Sequence, residues 1–231
     1  MKALLLAAGL GKRLRPLTRD TPKCLLPIDG VQLLKIWLDS LRDAEIGPFI
    51  VNTHYLAEQV DNFIDGLQYR NEVMISHEKS LLGTAGTLLK HIPFFGDDDG
   101  LLIHADNYCL ADLKEFISAH KNRPSNCLMT MMTFRTNNPS QCGIIELDKN
   151  NVVVGFHEKV KNPPGNLANG AIYILSNNLL KNLLIKDYVL RDFSLDVLPK
   201  LLGKIYTYET SDVLIDIGTE DSYYKANNLN K

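Results

Sequence analysis

The sequence predicts an α/β fold, with a mixed sheet and helices on both of its faces. Two observations carry this expectation. Short apolar runs alternate with helix-period segments through the first half, and the second half changes to hairpins. A third observation bounds the size. A chain of 231 residues, 45% hydrophobic and 23% charged, can bury a sizeable core. One domain over 1–231 is expected, with no repeat, no low-complexity segment and no linker.

Residues 2–7 read as the first strand. Leu33, Leu34, Trp37, Leu38, Leu41 and Ala44 recur at helical spacing, so 33–45 is a helix and Trp37 belongs to its core face. A strand over 49–52, a helix over 55–64, a strand over 72–76 and a short helix over 84–91 follow. Pro93 and three consecutive aspartates make 93–100 a solvated loop. Residues 101–105 are a buried strand ending at Asp106, 113–120 a helix and 127–134 a strand. The strands over 143–147 and 152–156 are joined by Asp148-Lys149-Asn150-Asn151, a hairpin signal. Residues 171–175, 205–208 and 213–215 read as strands, and 177–184, 194–202 and 219–228 as helices.

Composition excludes several classes. A net charge of −2 gives no global attraction to nucleic acid or to an anionic membrane. No apolar run approaches membrane-span length. The apolar part of residues 3–8 is too short for a signal peptide, and Lys12, Arg13 and Arg15 stand where a cleavage region should be neutral. The four cysteines show no Cys-x-x-Cys spacing and read as free buried thiols of a reducing compartment, so the chain is expected in the cytoplasm. The six histidines have no metal-ligand spacing, and no Gly-x-Ser-x-Gly elbow is present.

The chemistry concentrates at the N-terminus. The first strand runs into Ala7-Ala8-Gly9-Leu10-Gly11, then Lys12, Arg13 and Arg15, then Pro22-Lys23. Glycines admit close approach of backbone N–H groups to a phosphate, and the cations balance its charge. The Walker pattern fails, because Leu6 stands at its first glycine and Arg13 follows the lysine. The dinucleotide fingerprint fails at Leu14, where a third glycine is needed. A glycine turn with exposed basic residues remains the plain alternative. Asp106 and Asp216 each follow a strand-like run, where two carboxylates suit Mg²⁺ and a helix N-cap or turn is the plain reading. Glu158-Lys159 alone reads as a solvated pair, and Gly83-Thr84-Ala85-Gly86 as a tight turn into a helix.

The stretch from Leu4 to Pro27 closely resembles the signature of the sugar-phosphate nucleotidyltransferases. Gly83-Thr84-Ala85-Gly86, His104-Ala105-Asp106-Asn107, Gly143-Ile144-Ile145-Glu146, Phe156-His157-Glu158-Lys159, Asn169-Gly170 and Asp216-Ile217-Gly218-Thr219 extend the resemblance, in order, to residue 219. It implies a three-layer α/β/α sandwich with a mixed, mostly parallel, Rossmann-like sheet. Some relatives append a left-handed β-helix, which is not expected here. The short forms it resembles most are mannose- and heptose-1-phosphate guanylyltransferases.

The resemblance also implies an activity and a site. A nucleotidyl group would pass from an NTP, GTP favoured, to a sugar 1-phosphate, giving an NDP-sugar and pyrophosphate with Mg²⁺ as cofactor. The catalytic residues would be Arg13, Lys23 and Asp106. Ala8, Gly9, Gly11, Arg13, Glu78, Gly83 and Thr84 would bind the nucleotide. Asn107, Gly143, Glu158, Lys159, Asn169 and Gly170 would bind the sugar phosphate. Asp106 and Asp216 would hold the metal. A homo-oligomer is compatible with all of this. Two positions depart from the family pattern: Lys12 replaces a small Ser or Thr, and Ala105 a common Gly. A sugar phosphate has a second pKa near ~6 and is largely a dianion at neutral pH, so no general base is required. Uridylyl-, thymidylyl- or cytidylyltransfer on the same fold is the nearest alternative. A non-catalytic nucleotide- or sugar-binding module is the alternative of another class.

Overall fold

The computed structural model describes residues 1–185 and 190–229. In chain order the strands are β1 (Lys2–Leu6), β2 (Pro27–Ile28), β3 (Val31–Gln32), β4 (Phe49–Thr53), β5 (Val73–His77), β6 (Gly100–His104) and β7 (Asn107–Cys109). They continue as β8 (Met129–Arg135), β9 (Gly143–Leu147), β10 (Val153–Glu158), β11 (Leu167–Leu175), β12 (Ile205–Glu209) and β13 (Leu214–Asp216). The helices are α1 (Leu33–Asp43), α2 (Ala57–Asp65), α3 (Thr84–Phe95), α4 (Leu113–Lys121), α5 (Asn177–Ile185) and α6 (Glu220–Asn227). These elements fall into two compact units, each assembled from separated segments.

The first unit holds Lys2–Leu81, Ile103–Leu110 and Val213–Lys231. Its strands β1, β4 and β5 pair in parallel, Leu5 opposite Val51 and Val51 opposite Ile75. Every residue of β4 is buried, which is why Phe49-Ile50-Val51 reads as an unbroken apolar run. The end of β6 lies beside β1, and Ala105 N–H donates to Leu6 O at 3.1 Å. α1 buries Leu33, Leu34, Trp37, Leu38 and Leu41 along one face, and the Trp37 indole N–H donates to Asn107 O at 2.7 Å. That bond fixes β7, which pairs antiparallel with β13 in the register Asn107 to Asp216. α6 starts from a capping box in which Thr219 and Ser222 each satisfy the other's backbone N–H.

The second unit holds Leu82–Leu102 and Ala111–Asp212, together with Met1. β9 pairs with β10, β11 with β8 and β11 with β9, all antiparallel, while β12 and β8 are parallel. The α/β class and the mixed sheet expected from the sequence are therefore observed. α4 is capped by Asp112, whose carboxylate accepts from Lys114 and Glu115 N–H at 2.7 and 3.2 Å.

Three local expectations fail for identifiable reasons. α3 runs on through Pro93 to Phe95 and stops at Gly96, at φ 64°. Burial of Ile92 and Phe95 keeps the final turn helical although Pro93 donates no hydrogen bond. Residues 194–202 are not one α-helix but a π-type turn, Phe193–Val197, followed by a 3₁₀ turn, Leu198–Leu201, within which Pro199 has no N–H to continue an α-helical ladder. β2 and β3 form a hairpin that was not expected. Its Asp29-Gly30 pair, at φ 48° and 80°, is the residue pair a two-residue turn favours.

Candidate active site

In the first unit the chain leaves β1 through Ala7, Ala8 and Gly9, and a buried amide catches it. Asn52 Oδ1, at the end of β4, accepts from Ala7 N–H at 2.7 Å and Ala8 N–H at 3.3 Å. Its Nδ2 donates to Glu78 Oε1 at 2.9 Å. Glu78 is itself pinned, its N–H donating to Thr53 O at 2.8 Å and its carbonyl lying 2.7 Å from His54 Nδ1. Asn52 and Glu78 are both 3% exposed, so the bond between them is buried. A Cβ on Gly9 would meet nothing within 4 Å, whereas one on Gly11, at φ 60°, would strike Thr18 at 2.9 Å. The Thr18 hydroxyl donates to Gly11 O at 2.6 Å and holds the left-handed turn.

Gly9, Gly11, Lys12, Arg13, Lys23 and Asp106 line one cavity of about 340 Å³, together with Leu10, Leu14, Leu81 and Gly218. Its cations are of two kinds. Lys12 and Arg13 are exposed and form no ion pair among the described residues, and the Arg13 guanidinium reaches to Gly218. Lys23 is 7% exposed, and its Nζ lies 2.6 Å from Asp106 Oδ2 and 3.6 Å from Asp216 Oδ1. A buried ammonium requires such partners. Partial enclosure pushes the Asp106 carboxyl up, but Lys23 and the nearby His104 more than offset this and hold it below the usual carboxylate range. Burial pushes the neighbouring Cys24 thiol up to about 12.

The β7–β13 pairing brings the two aspartates together. Asn107 opposes Asp216, and Ile217 N–H donates to Asp106 O at 3.3 Å. Asn107 itself is buried in this pairing. Both carboxylates thus converge on one cation, Lys23 Nζ, and both remain partly open to solvent. Among the described residues no group of three or more His, Cys, Asp or Glu converges. Two carboxylates are still a fitting donor set for Mg²⁺, which completes its shell with waters and substrate phosphate oxygens.

The other expected residues lie in the second unit. Gly143 stands opposite Glu158 in the β9–β10 register, and a Cβ there would meet Glu158 Oε2 at 2.6 Å and the Phe156 ring at 2.8 Å. Lys159 adopts φ 50°, its N–H donating to Cys142 O at 3.1 Å and its Nζ lying 3.3 Å from Glu158 Oε1. Asn169 and Gly170 sit at an irregularity of β11, where Asn169 Oδ1 accepts from Ala171 N–H at 2.9 Å and its Nδ2 donates to Tyr173 Oη at 2.7 Å. Burial pushes the Tyr173 phenol up, and its ring packs on Phe193 at 4.8 Å. Gly83 and Thr84 have a packing role visible in the structure. A Cβ on Gly83 would collide with the Arg191 carbonyl, and the Thr84 hydroxyl accepts from Phe193 N–H at 2.7 Å.

Sequence reasoning missed Asn52, Thr18 and Tyr173. Asn52 left a signal, as a polar amide inside the apolar run of β4. Thr18 and Tyr173 left none, since their partners are fixed only by the folded chain.

A mannose-1-phosphate guanylyltransferase catalytic subunit beta of Drosophila melanogaster is 29% identical over 223 residues, covering 94% of this chain and 59% of its own. A D-glycero-alpha-D-manno-heptose 1-phosphate guanylyltransferase of Aneurinibacillus thermoaerophilus is 27% identical over 228 residues, covering 98% of this chain and 96% of its own. Among solved structures, HddC from Yersinia pseudotuberculosis complexed with GMP-PN aligns at a TM-score of 0.81 and 27% identity, over 98% of this chain and 97% of that one. The chain spans about three fifths of the length of the first curated relatives it matches. The nucleotidyl transferase profile matches residues 2–231, and the chain belongs to that family.

Proposed function

We propose that the protein transfers a nucleotidyl group from GTP to a sugar 1-phosphate with the aid of Mg²⁺. The observation that carries this is the cavity lined by a glycine loop, by Lys12 and Arg13, and by Lys23 with Asp106, where Asp216 is the second carboxylate at Lys23. A bare anion site would not need the carboxylates, and a bare metal site would not need Lys12 and Arg13. Guanine is favoured because the mannose and heptose relatives are named guanylyltransferases and the HddC structure is complexed with GMP-PN.

In this reading Gly9 offers open backbone to the triphosphate, and Arg13 neutralises the departing pyrophosphate. Lys23 holds the reacting α-phosphate, and Lys159 docks the sugar phosphate beside Glu158. Asp106 and Asp216 would hold Mg²⁺, which supplies charge neutralisation at the phosphates when bound. A phosphate oxygen of the sugar 1-phosphate forms a bond to the α-phosphorus. The α–β bridging P–O bond breaks, and its electron pair leaves with pyrophosphate. The attacking group is already a dianion, so alignment and charge balance are what the residues contribute.

Pyrophosphate release over a matrix of five NTPs and several sugar 1-phosphates tests the proposal. GTP with a manno- or heptose-configured 1-phosphate should give the highest rate, and removal of divalent metal should abolish it. A folded protein that binds nucleotide but releases no pyrophosphate with any pair would be a binding module instead.

A further inference from the structure

Lys23 Nζ occupies the point on which the Asp106 and Asp216 carboxylates converge. It lies 2.6 Å from one carboxylate and 3.6 Å from the other, and the side chain is almost wholly enclosed. We propose that Lys23 is an internal counter-cation that keeps the Asp106–Asp216 pair closed to free divalent metal and yields it only when a nucleotide phosphate arrives. The proposal rests on the reading of these aspartates as metal ligands.

Two physical arguments carry it. A buried ammonium that loses its carboxylate partners is left uncompensated, which is among the costlier events in a protein interior. A dication entering between Asp106 and Asp216 would take those partners and add repulsion at close range. The cavity has a further excess of positive charge. Lys12, Arg13 and Lys23 line it against Asp106, with Asp216 the one other carboxylate at Lys23 among the described residues, so a free dication meets a net cationic site. A triphosphate reverses both terms. Its oxygens give Lys23 a new partner and turn the local charge negative, so the carboxylates become available as the metal is wanted. Nucleotide and metal binding are then coupled through Lys23, and the coupling acts equally in both directions.

The test needs no turnover. Mn²⁺ binding to the nucleotide-free protein is followed by the electron paramagnetic resonance signal of the free ion. Lys23→Met, which keeps length and removes charge, should raise Mn²⁺ affinity at least about tenfold. Asp216→Asn in the Lys23→Met background should erase that gain. Unchanged or weaker Mn²⁺ binding by folded Lys23→Met would overturn the proposal. The unmutated protein provides a second measurement, should the variant fail to fold. With ¹⁵N-labelled lysine, the Lys23 ammonium resonance should stay in place when Mg²⁺ alone is added and move when GTP and Mg²⁺ are added together, and a resonance that stays in place with both at saturation would also overturn it. If Asp106→Asn and Asp216→Asn leave Mn²⁺ binding unaltered with GTP present, the two aspartates are not metal ligands and the parent reading fails instead.

Discussion

In the first unit a buried amide and a buried ammonium hold the residues around the cavity, whereas in the second unit glycine and left-handed backbone hold the residues expected to bind a sugar phosphate. Asn52 ties the loop after β1 to Glu78, and Lys23 gathers two carboxylates. Gly143 makes room for Glu158, and Lys159 and Ala171 sit at φ 50° and 54°. The difference teaches where each half spends its precision. Under the proposed function the first half handles phosphate charge, which is the same for every nucleotide, and electrostatic positioning suits it. The second half handles a sugar, whose shape varies, and backbone geometry sets which side chains are presented.

Four experiments would break or sharpen this contrast. The largest effect is expected at Arg13. Arg13→Ala should lower kcat/KM by roughly 10²–10³ while circular dichroism and melting stay unchanged. A folded variant that keeps more than about a tenth of the activity would remove charge handling from the first unit.

Asn52→Ala should act through the fold. It removes the amide that accepts from Ala7 N–H and donates to the buried Glu78 carboxylate, and urea unfolding should report a loss of about 1–3 kcal/mol. A loss below about 0.5 kcal/mol would show that the lattice is not what fixes the loop.

Gly143→Ala should act on the sugar side. The new methyl must displace Glu158 and Phe156, so KM for the sugar phosphate should rise by about tenfold at nearly constant GTP affinity, with about 1–3 kcal/mol of stability lost. Calorimetry with GTP and with the sugar phosphate separates the two. A fall in GTP affinity alone would assign Gly143 to the other substrate.

The smallest effect concerns acid stability, and it belongs to the second unit. His120 is buried, its Nε2 lying 3.2 Å from Asp99 Oδ2 and its Nδ1 2.8 Å from Thr130 Oγ1. An ionised carboxylate only accepts, so Nε2 carries the proton and Nδ1 accepts from the hydroxyl. Burial pushes His120 below its ordinary value, whereas the His120 hydrogen bond holds Asp99 below the usual carboxylate range. The unfolded chain therefore takes up a proton near pH ~6.5 before the folded one does, and stability falls as pH drops from there. The Asp99 contribution goes at lower pH, as its folded carboxyl is protonated. His120→Gln should flatten the upper part of this slope, below pH ~6.5, measured by urea unfolding at stepped pH. An unchanged slope would place the acid sensitivity elsewhere.

Much of the fold was legible because its signals are local. The apolar run of β4, the helical spacing of α1 and the Asp148–Asn151 hairpin each encode their own element. Pro93 and Pro199 misled in opposite directions, since burial of Phe95 extended one helix and Pro199 has no N–H to continue another. The Asp29-Gly30 turn was readable and passed over. The site was legible only in part. Gly11, Lys12 and Arg13 are adjacent in sequence and announce an anion loop, but Asp106 and Asp216 meet through strand pairing that no local pattern encodes. Only the family resemblance joined them beforehand. Asn52 stood out as a polar amide in an apolar strand, but its partners Ala7, Ala8 and Glu78 are fixed only by the folded chain.

The β7–β13 pairing also sets a time in the life of the chain. Asp216 is residue 216 of 231, and its strand must find one laid down about a hundred residues earlier. A ribosome must therefore add 193 residues after Lys23 (216 − 23) before Lys23 can meet its second carboxylate. Until then the loop, Lys23 and Asp106 wait on the nascent chain with the pair half built. A newly made chain should therefore complete the Lys23–Asp106–Asp216 cluster abruptly, once β13 has emerged, rather than gradually.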